Sequence, residues 1–346
     1  YLTWEKTNQY DLGLDMDMFN YRLNMKLDYY YKYTSSLIYD IPIPGSLYTF
    51  GAQVENAMEI SNEGLELELQ ADILRESAVS WRMKFNMARN WNRFEKSYSG
   101  KDVVDGDGTL LVAGRPLNGL YVWAHRGYYN SDAEVPRLYK IDGQEIYFNG
   151  VATDGISGAV GNYRLLDLDG DGNPDSYYAG SPLPLAHGGW VNELMWKNFD
   201  LNIFFAWSYG NDVLNANRLV FESGWRSQTN QLASYADRWS PENPASNIPR
   251  VNAVGREEYS SRVIEDGSFL RLKNVSLGYT LPSRSLRKAG ISQMRVYVSA
   301  DNIWTLTGYS GPDPEVSTRN SVLTPGFDWS AYPRAFGFTA GVNLTF

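Results

Sequence analysis

Arg334-Ala335-Phe336-Gly337-Phe338-Thr339-Ala340-Gly341-Val342-Asn343-Leu344-Thr345-Phe346 closes the chain. Phe336, Phe338, Ala340, Val342, Leu344 and Phe346 alternate with Gly337, Thr339, Gly341, Asn343 and Thr345, a period of two held to the last residue. One face is apolar; the other is small and polar. An exposed edge strand of a soluble protein normally carries a gatekeeping charge, and none follows Arg334. Lipid against one face and a lumen against the other accounts for the pattern. A final sandwich strand fits this single stretch almost as well, so the rest of the chain decides.

Working outward, residues 65–73 and 79–87 form the clearest hairpin. Leu65, Leu67, Leu69, Ala71 and Ile73 oppose Glu66, Glu68, Gln70 and Asp72; Val79, Trp81, Met83, Phe85 and Met87 oppose Ser80, Arg82, Lys84 and Asn86. A register pairing Asp72 with Ser80 puts Gln70 beside Arg82 and Glu68 beside Lys84. Such a run of charge does not suit a sandwich interior. Glu66, Glu68, Arg82 and Lys84 are therefore expected to face a lumen, with Leu67, Leu69, Trp81, Met83 and Phe85 facing lipid. Upstream, 8–18 and 21–33 alternate about a two-residue turn at Phe19-Asn20, which would set Asp17 opposite Arg22 and Asp15 opposite Asn24.

Downstream, strands are expected at 189–197 and 201–207, around a turn at 198–200. Trp190, Leu194, Trp196, Leu201, Ile203, Phe205 and Trp207 are assigned outward. Further strands fall at 268–281 and 292–305, before the final one. Arg271 and Lys273 interrupt the apolar row Val275, Leu277, Tyr279 and Leu281, which marks a bulge or the membrane edge. The fold class is thus all-β, with nine or so antiparallel strands. Connections alternate short (19–20, 74–77, 198–200, 282–291) and long (35–60, 93–186, 210–266, 306–333). Outer-membrane barrels join strands by short periplasmic turns and long extracellular loops, whereas loops this long are unusual in a compact soluble domain. The final strand then runs to the periplasm and the first begins outside. Since bacterial barrels have even strand counts, further strands are expected before Tyr1.

Composition agrees. The chain of 346 residues is 43% hydrophobic but contains no run of ~18 apolar residues, so a membrane-spanning form must be a barrel. Its 25 Tyr and 11 Trp suit membrane interfaces, sugar stacking or any β-fold. It has no Cys, which removes disulfides and thiolate chemistry, and a net charge of −9, which disfavours nucleic acid as a partner. The opening residues read as mid-fold, which suggests a piece of a longer protein.

Several segments resemble the SusC/RagA group of TonB-dependent outer-membrane transporters: Gly64-Leu65-Glu66-Leu67, DLDGDGNPD (167–175), DRWSPENPASNIPR (237–250), DGSFLRLKNVSLGYTLP (266–282), RVYVSADNIWTLTGYSGPDPE (295–315) and 332–346. They lie in that family's order across most of the chain. The resemblance implies the C-terminal part of a large barrel of 22 strands, with an N-terminal plug, a TonB-contacting segment and about thirteen strands outside this sequence. It also implies import of oligosaccharides or peptides together with a SusD-like surface lipoprotein, and no enzymatic role.

Among the motifs, Asp167, Asp169, Asp171 and Asp175 with the Asn173 carbonyl could wrap Ca²⁺ around the tight turn at Gly172. The position of the usual bidentate Glu is Tyr178. A solvated acidic turn is the plainer reading. Asp105-Gly106-Asp107-Gly108 reads as a turn. His125 and His187 are the two histidines and are far apart in sequence. Trp91, Trp123, Trp225 and Trp329 lie in or near loops, as sugar stackers or as anchors. Gly341, Leu344 and Phe346 sit where barrels carry a C-terminal assembly signal; alternatively Phe346 completes an aromatic girdle. The competing function is a soluble β-rich carbohydrate-binding or carbohydrate-active domain.

Overall fold

In the computed structural model the alternating segments pair, each with its chain neighbour, into one nine-stranded sheet. The strands are β1 (Lys6–Met18), β2 (Leu23–Pro42), β3 (Ala52–Leu74), β4 (Val79–Lys96), β5 (Ala186–Trp196), β6 (Phe199–Tyr209), β7 (Phe269–Thr280), β8 (Gln293–Thr307) and β9 (Gly337–Thr345). All eight pairings are antiparallel. The structure describes every residue except 1, 44–50, 98–102, 105–109, 118, 136, 140–144, 148–159, 171–173, 225–227, 252, 254–258, 283–285, 287–289 and 319–324.

Strand lengths correct one expectation, and the register decides another. The connection placed at 35–60 is largely strand: β2 runs to Pro42 and β3 begins at Ala52. Tyr, Thr and Ile at 29–41 keep the ladder going where the Pro and Gly of 42–45 suggested a loop. A barrel strand needs roughly 9–11 residues to cross a membrane, so β2 and β3 project well beyond it. The interruption at Arg271 and Lys273 is a bulge. Phe204 pairs with Asn274 and Phe205 with Leu272, leaving Lys273 as the extra residue. The bulge returns Leu270 and Leu272 to the face of Val275 and Leu277, and sends Arg271 to the other.

Register differs from the expected one by two residues in both early hairpins. Met18 pairs with Leu23, so the first turn holds four residues, with Phe19, Asn20 and Tyr21 all at positive φ. Asp17 therefore meets Asn24, and Asp15 meets Lys26. In the second hairpin Asp72 pairs with Arg82, Gln70 with Lys84 and Glu68 with Asn86, after an irregularity between Asp72 and Leu74. A two-residue shift preserves every side chain's face, whereas a one-residue slip would have reversed them all. The turn expected at 198–200 lies at Lys197-Asn198, with Lys197 at φ 53°.

Short turns gather at one end of the sheet. The C-terminus joins them, where Ser292 N–H donates to the Thr345 carbonyl at 2.7 Å. The described residues of 97–185, 210–268 and 308–336 gather at the other end, together with the start of β1. These connections are more ordered than an irregular stretch. Leu120–Trp123 pairs with Ser176–Gly180, and His125–Tyr128 with Tyr163–Leu165. Asp212–Asn215 pairs with both Ile264–Asp266 and Phe327–Asp328. Two compact apolar cores lie here, outside the nine-stranded sheet, while a third joins Met58 of β3 and Phe94 of β4 to Leu111. One joins Leu120, Val122, Leu214, Leu219, Val263 and Phe327; another joins Tyr128, Tyr163, Leu165, Trp239 and Ala253.

Candidate functional site

The sheet's two faces differ chemically. On one, register aligns Leu27, Leu67 and Met87; Met25, Leu69, Phe85, Trp190 and Phe205; and Trp81, Leu194, Leu201 and Leu277. The downstream residues assigned outward, Trp190 to Trp207, all fall on this face. It also exposes large apolar groups on strands flanked from both sides: Leu277 is 43% exposed, Val298 41% and Trp190 37%. A soluble protein would bury such a row. Asn192 also lies on this face, and there it accepts the Trp81 indole N–H at 3.1 Å.

The opposite face carries Glu66, Glu68, Arg82 and Lys84 together, but with partners other than those expected. Arg82 donates to Asp72 at 2.7 Å, and Lys84 reaches Glu193 on β5 at 2.7 Å. Arg295 on β8 grips Asp200 on β6, with Nε to Oδ1 at 3.0 Å. Asp28 stands directly opposite Glu66, and Lys26 opposite Glu68. A hollow of ≈ 690 Å³ opens here, lined by Asp28, Glu66, Glu68, His187, Phe204 and Glu315 among others. Sequence reading missed Glu193, Asp200 and Arg295, because their partners lie on strands distant in sequence.

At the long-loop end three connections interlock into one layer. Trp123 N–H donates to the Tyr259 carbonyl at 2.9 Å, and Leu214 N–H to Gly326 at 2.9 Å. A charged cluster sits within it. Arg262, whose side chain is fully buried, donates to Glu222 Oε2 at 2.9 Å and to the Arg218 carbonyl at 3.1 Å; Arg218 also meets Glu222 at 2.8 Å and Glu265 at 3.2 Å. Burial alone would raise the Glu222 carboxyl, but Arg218, Ser234 and Arg262 hold it below the usual carboxylate range. Beside them, His125 packs against the rings of Tyr128 and Tyr163, with centroids 5.3 and 5.4 Å away. Burial first, and then the Arg262 charge, push its pKa down to about 4. The histidine is a neutral packing element.

A second cluster ties 308–336 to the barrel wall. Arg271 binds Asp313 and Glu315, Lys273 meets Glu315 at 3.2 Å, and Arg334 meets Glu315 at 2.9 Å. Burial would raise Asp313, yet the Arg271 bond and the N–H groups of Glu315 and Arg334 hold its carboxyl low. Lys273, displaced by the bulge, and its neighbour Arg271 thus serve as anchors.

In the acidic loop, Asp167, Asp169 and Asp175 bring one oxygen each within 4.8 Å of one another. Asp175 accepts the Asp169 N–H at 3.2 Å, and Asp167 the Gly170 N–H at 2.6 Å. The three carboxylates fit a hard, oxygen-seeking cation such as Ca²⁺. Asp171 and Asn173 lie outside the described residues, as do Asp105-Gly106-Asp107-Gly108 and Trp225. Of the remaining loop tryptophans, Trp123 packs against the Tyr128–Tyr163 core, Trp329 is 49% exposed, and Trp91 is on β4. At the terminus, Gly341 pairs with Tyr297 and Leu344 with Met294, while Phe346 lies past the strand and is 82% exposed.

Known proteins agree with this geometry. The family model described as "TonB dependent receptor-like, beta-barrel" matches residues 1–178. TonB-dependent receptor P3 of Formosa agariphila is 33% identical over all of this chain and 34% of its own length. TonB-dependent receptor SusC of Bacteroides thetaiotaomicron is 28% identical over all of this chain and 32% of its own. Among solved structures, the RagAB peptide transporter superposes with a TM-score of 0.79 at 25% identity, over all of this chain and 35% of that one. The chain belongs to the TonB-dependent receptor β-barrel family, and it is an outer-membrane protein. It spans about a third of the curated relatives' length. Membership removes the soluble carbohydrate-binding alternative.

Proposed function

We propose that the chain forms the C-terminal part of a barrel that imports oligosaccharide or peptide nutrients, driven by TonB through a part of the protein outside this sequence. The interlocked layer formed by the described residues of 97–185, 210–268 and 308–336, seated on the sheet's long-loop end, carries this reading. It offers a preshaped extracellular surface on which a SusD-like lipoprotein could close. The charged face would line the lumen against a plug, and the apolar face would meet lipid. Likeness to the RagAB peptide transporter favours a peptide cargo. Enzymatic chemistry has no part in this scheme. Deleting 229–247 from the whole receptor should weaken copurification of the lipoprotein and slow nutrient uptake, while barrel insertion stays normal. Unchanged copurification after deletions in both 97–185 and 210–268 would contradict it.

The acidic loop fits the same surface as a Ca²⁺ site of Asp167, Asp169, Asp171, Asn173 and Asp175, supported by the three converging carboxylates. Its role would be to stiffen the loop between Leu166 and Asp175, whose backbones bond at 2.8 Å. Calcium should slow proteolysis of 160–180 in the receptor but not in an Asp169→Asn, Asp175→Asn variant; equal protection in both would remove the metal.

A further inference from the structure

The apolar face of the sheet ends upward in a cation. On β4, Trp81, Met83, Phe85 and Met87 are followed on the same face by Arg89, Trp91 and Arg93. Arg89 occupies a row otherwise made of Leu12, Tyr29 and Leu65. The row above it holds Tyr10, Tyr31, Glu63 and Trp91. At about 3.3 Å per residue and a tilt of roughly 40°, Arg89 stands about 20 Å above Trp81, and Trp91 about 25 Å. An apolar belt is about 25 Å tall and is bounded by aromatic girdles. Arg89 and its tyrosine and tryptophan neighbours therefore mark the extracellular rim of the belt.

The nearby acids are already engaged. Glu63 accepts the Tyr29 hydroxyl at 2.9 Å, Glu95 the Ser61 hydroxyl at 2.5 Å, and Glu59 meets Lys96 at 3.6 Å. Arg89 has no carboxylate partner among the described residues. Its guanidinium lies 4.4 Å from the Trp91 ring centroid instead. A guanidinium held over a ring face can keep the edge of its N–H fork free, the geometry that suits two oxygens of a phosphate. Arg93 is exposed on the same face two residues further up, its Nε spanning 3.4 Å to the Gly114 carbonyl.

We propose that Arg89, Trp91 and Arg93 form a headgroup clamp on the outer wall for the phosphate of an outer-leaflet lipid. The occupant is a lipid, because the row directly below is apolar and belongs to the acyl region. A free phosphate would find no use for Leu65 and Met87. The clamp rests on the assignment of this face to lipid.

The test uses the whole receptor in detergent, titrated with short-chain phosphatidic acid, the matching diacylglycerol and inorganic phosphate, and followed by native mass spectrometry. Phosphatidic acid should bind, and an Arg89→Gln, Arg93→Gln variant should bind it at least tenfold more weakly. Arg89→Lys, which keeps the charge but loses the fork, should lose severalfold and serves if the double variant fails to insert. Diacylglycerol should bind poorly to all. Equal binding of phosphatidic acid by wild type and variants overturns the clamp, as does inorganic phosphate competing as well as the lipid. A spin label at Met87, through Met87→Cys, separates the two claims. A label in lipid with unchanged titrations removes the clamp alone; a label in water removes the facing beneath it.

Discussion

Tyr297 lies across Gly341 on the charged face of the sheet, in the last strand pair, so closely that a Cβ on Gly341 would sit 2.5 Å from the ring. Tyr30 covers Gly64 in the same way, with its hydroxyl donating to Asn90 at 3.0 Å. In both places a ring takes the space that glycine vacates on the directly opposed strand.

Gly341→Ala should therefore push Tyr297 aside and destabilise the last pairing by about 1 kcal/mol. In a Tyr297→Ala background the same change should cost little. A double-mutant cycle on guanidinium unfolding of the whole receptor measures the coupling. Gly341 costing the same in both backgrounds would place its importance elsewhere, in assembly.

Leu69 pairs with Met25 and Phe85 at mid-height of the apolar face. Leu69→Arg should cost about 2–4 kcal/mol if that face meets lipid, whereas Glu68→Arg on the other face should cost much less. Unfolding midpoints of the two variants in the same detergent provide the comparison.

His125 gives the loop layer a pH dependence. Its folded pKa, pushed down to about 4 by burial and Arg262, lies below the ~6.5 of an unfolded histidine. Between these values the unfolded chain holds a proton that the folded chain lacks. The contribution is thus complete above about pH 6.5 and is lost as pH falls toward 4, by on the order of 1–3 kcal/mol. Protease resistance of 120–165 should fall over that window, and a His125→Gln variant should show a flatter profile.

Phe346 follows the paired strand, past Thr345. If it serves as an assembly signal, its deletion should lower the amount of receptor inserted, while the inserted fraction keeps its heat resistance. Normal insertion with slightly reduced heat resistance would instead make it a girdle residue.

Period-two alternation made the nine strands and both faces legible, since Leu67 and Glu68 take opposite sides whatever the loop length. Register was less legible. The first turn places Phe19, Asn20 and Tyr21 at positive φ, a conformation without the Asn-Gly or Asp-Gly signal of a two-residue turn. The salt bridges then moved by two residues, so Lys84 found Glu193 rather than Glu68. The loop layer was least legible, because the Arg262–Glu222 and Trp123–Tyr259 contacts join segments far apart in sequence and follow no period. The acidic loop could be seen as a motif, but the convergence of Asp167, Asp169 and Asp175 needed coordinates.

The central claim is that the Leu67 face meets lipid and the Glu68 face meets the lumen. Single spin labels at these two positions in the reconstituted receptor test it most directly, through accessibility to oxygen and to a water-soluble nickel chelate. The account predicts that the Leu67 label is reached by oxygen and shielded from nickel, and that the Glu68 label shows the reverse. A Glu68 label in lipid, or both labels equally open to nickel, would contradict it.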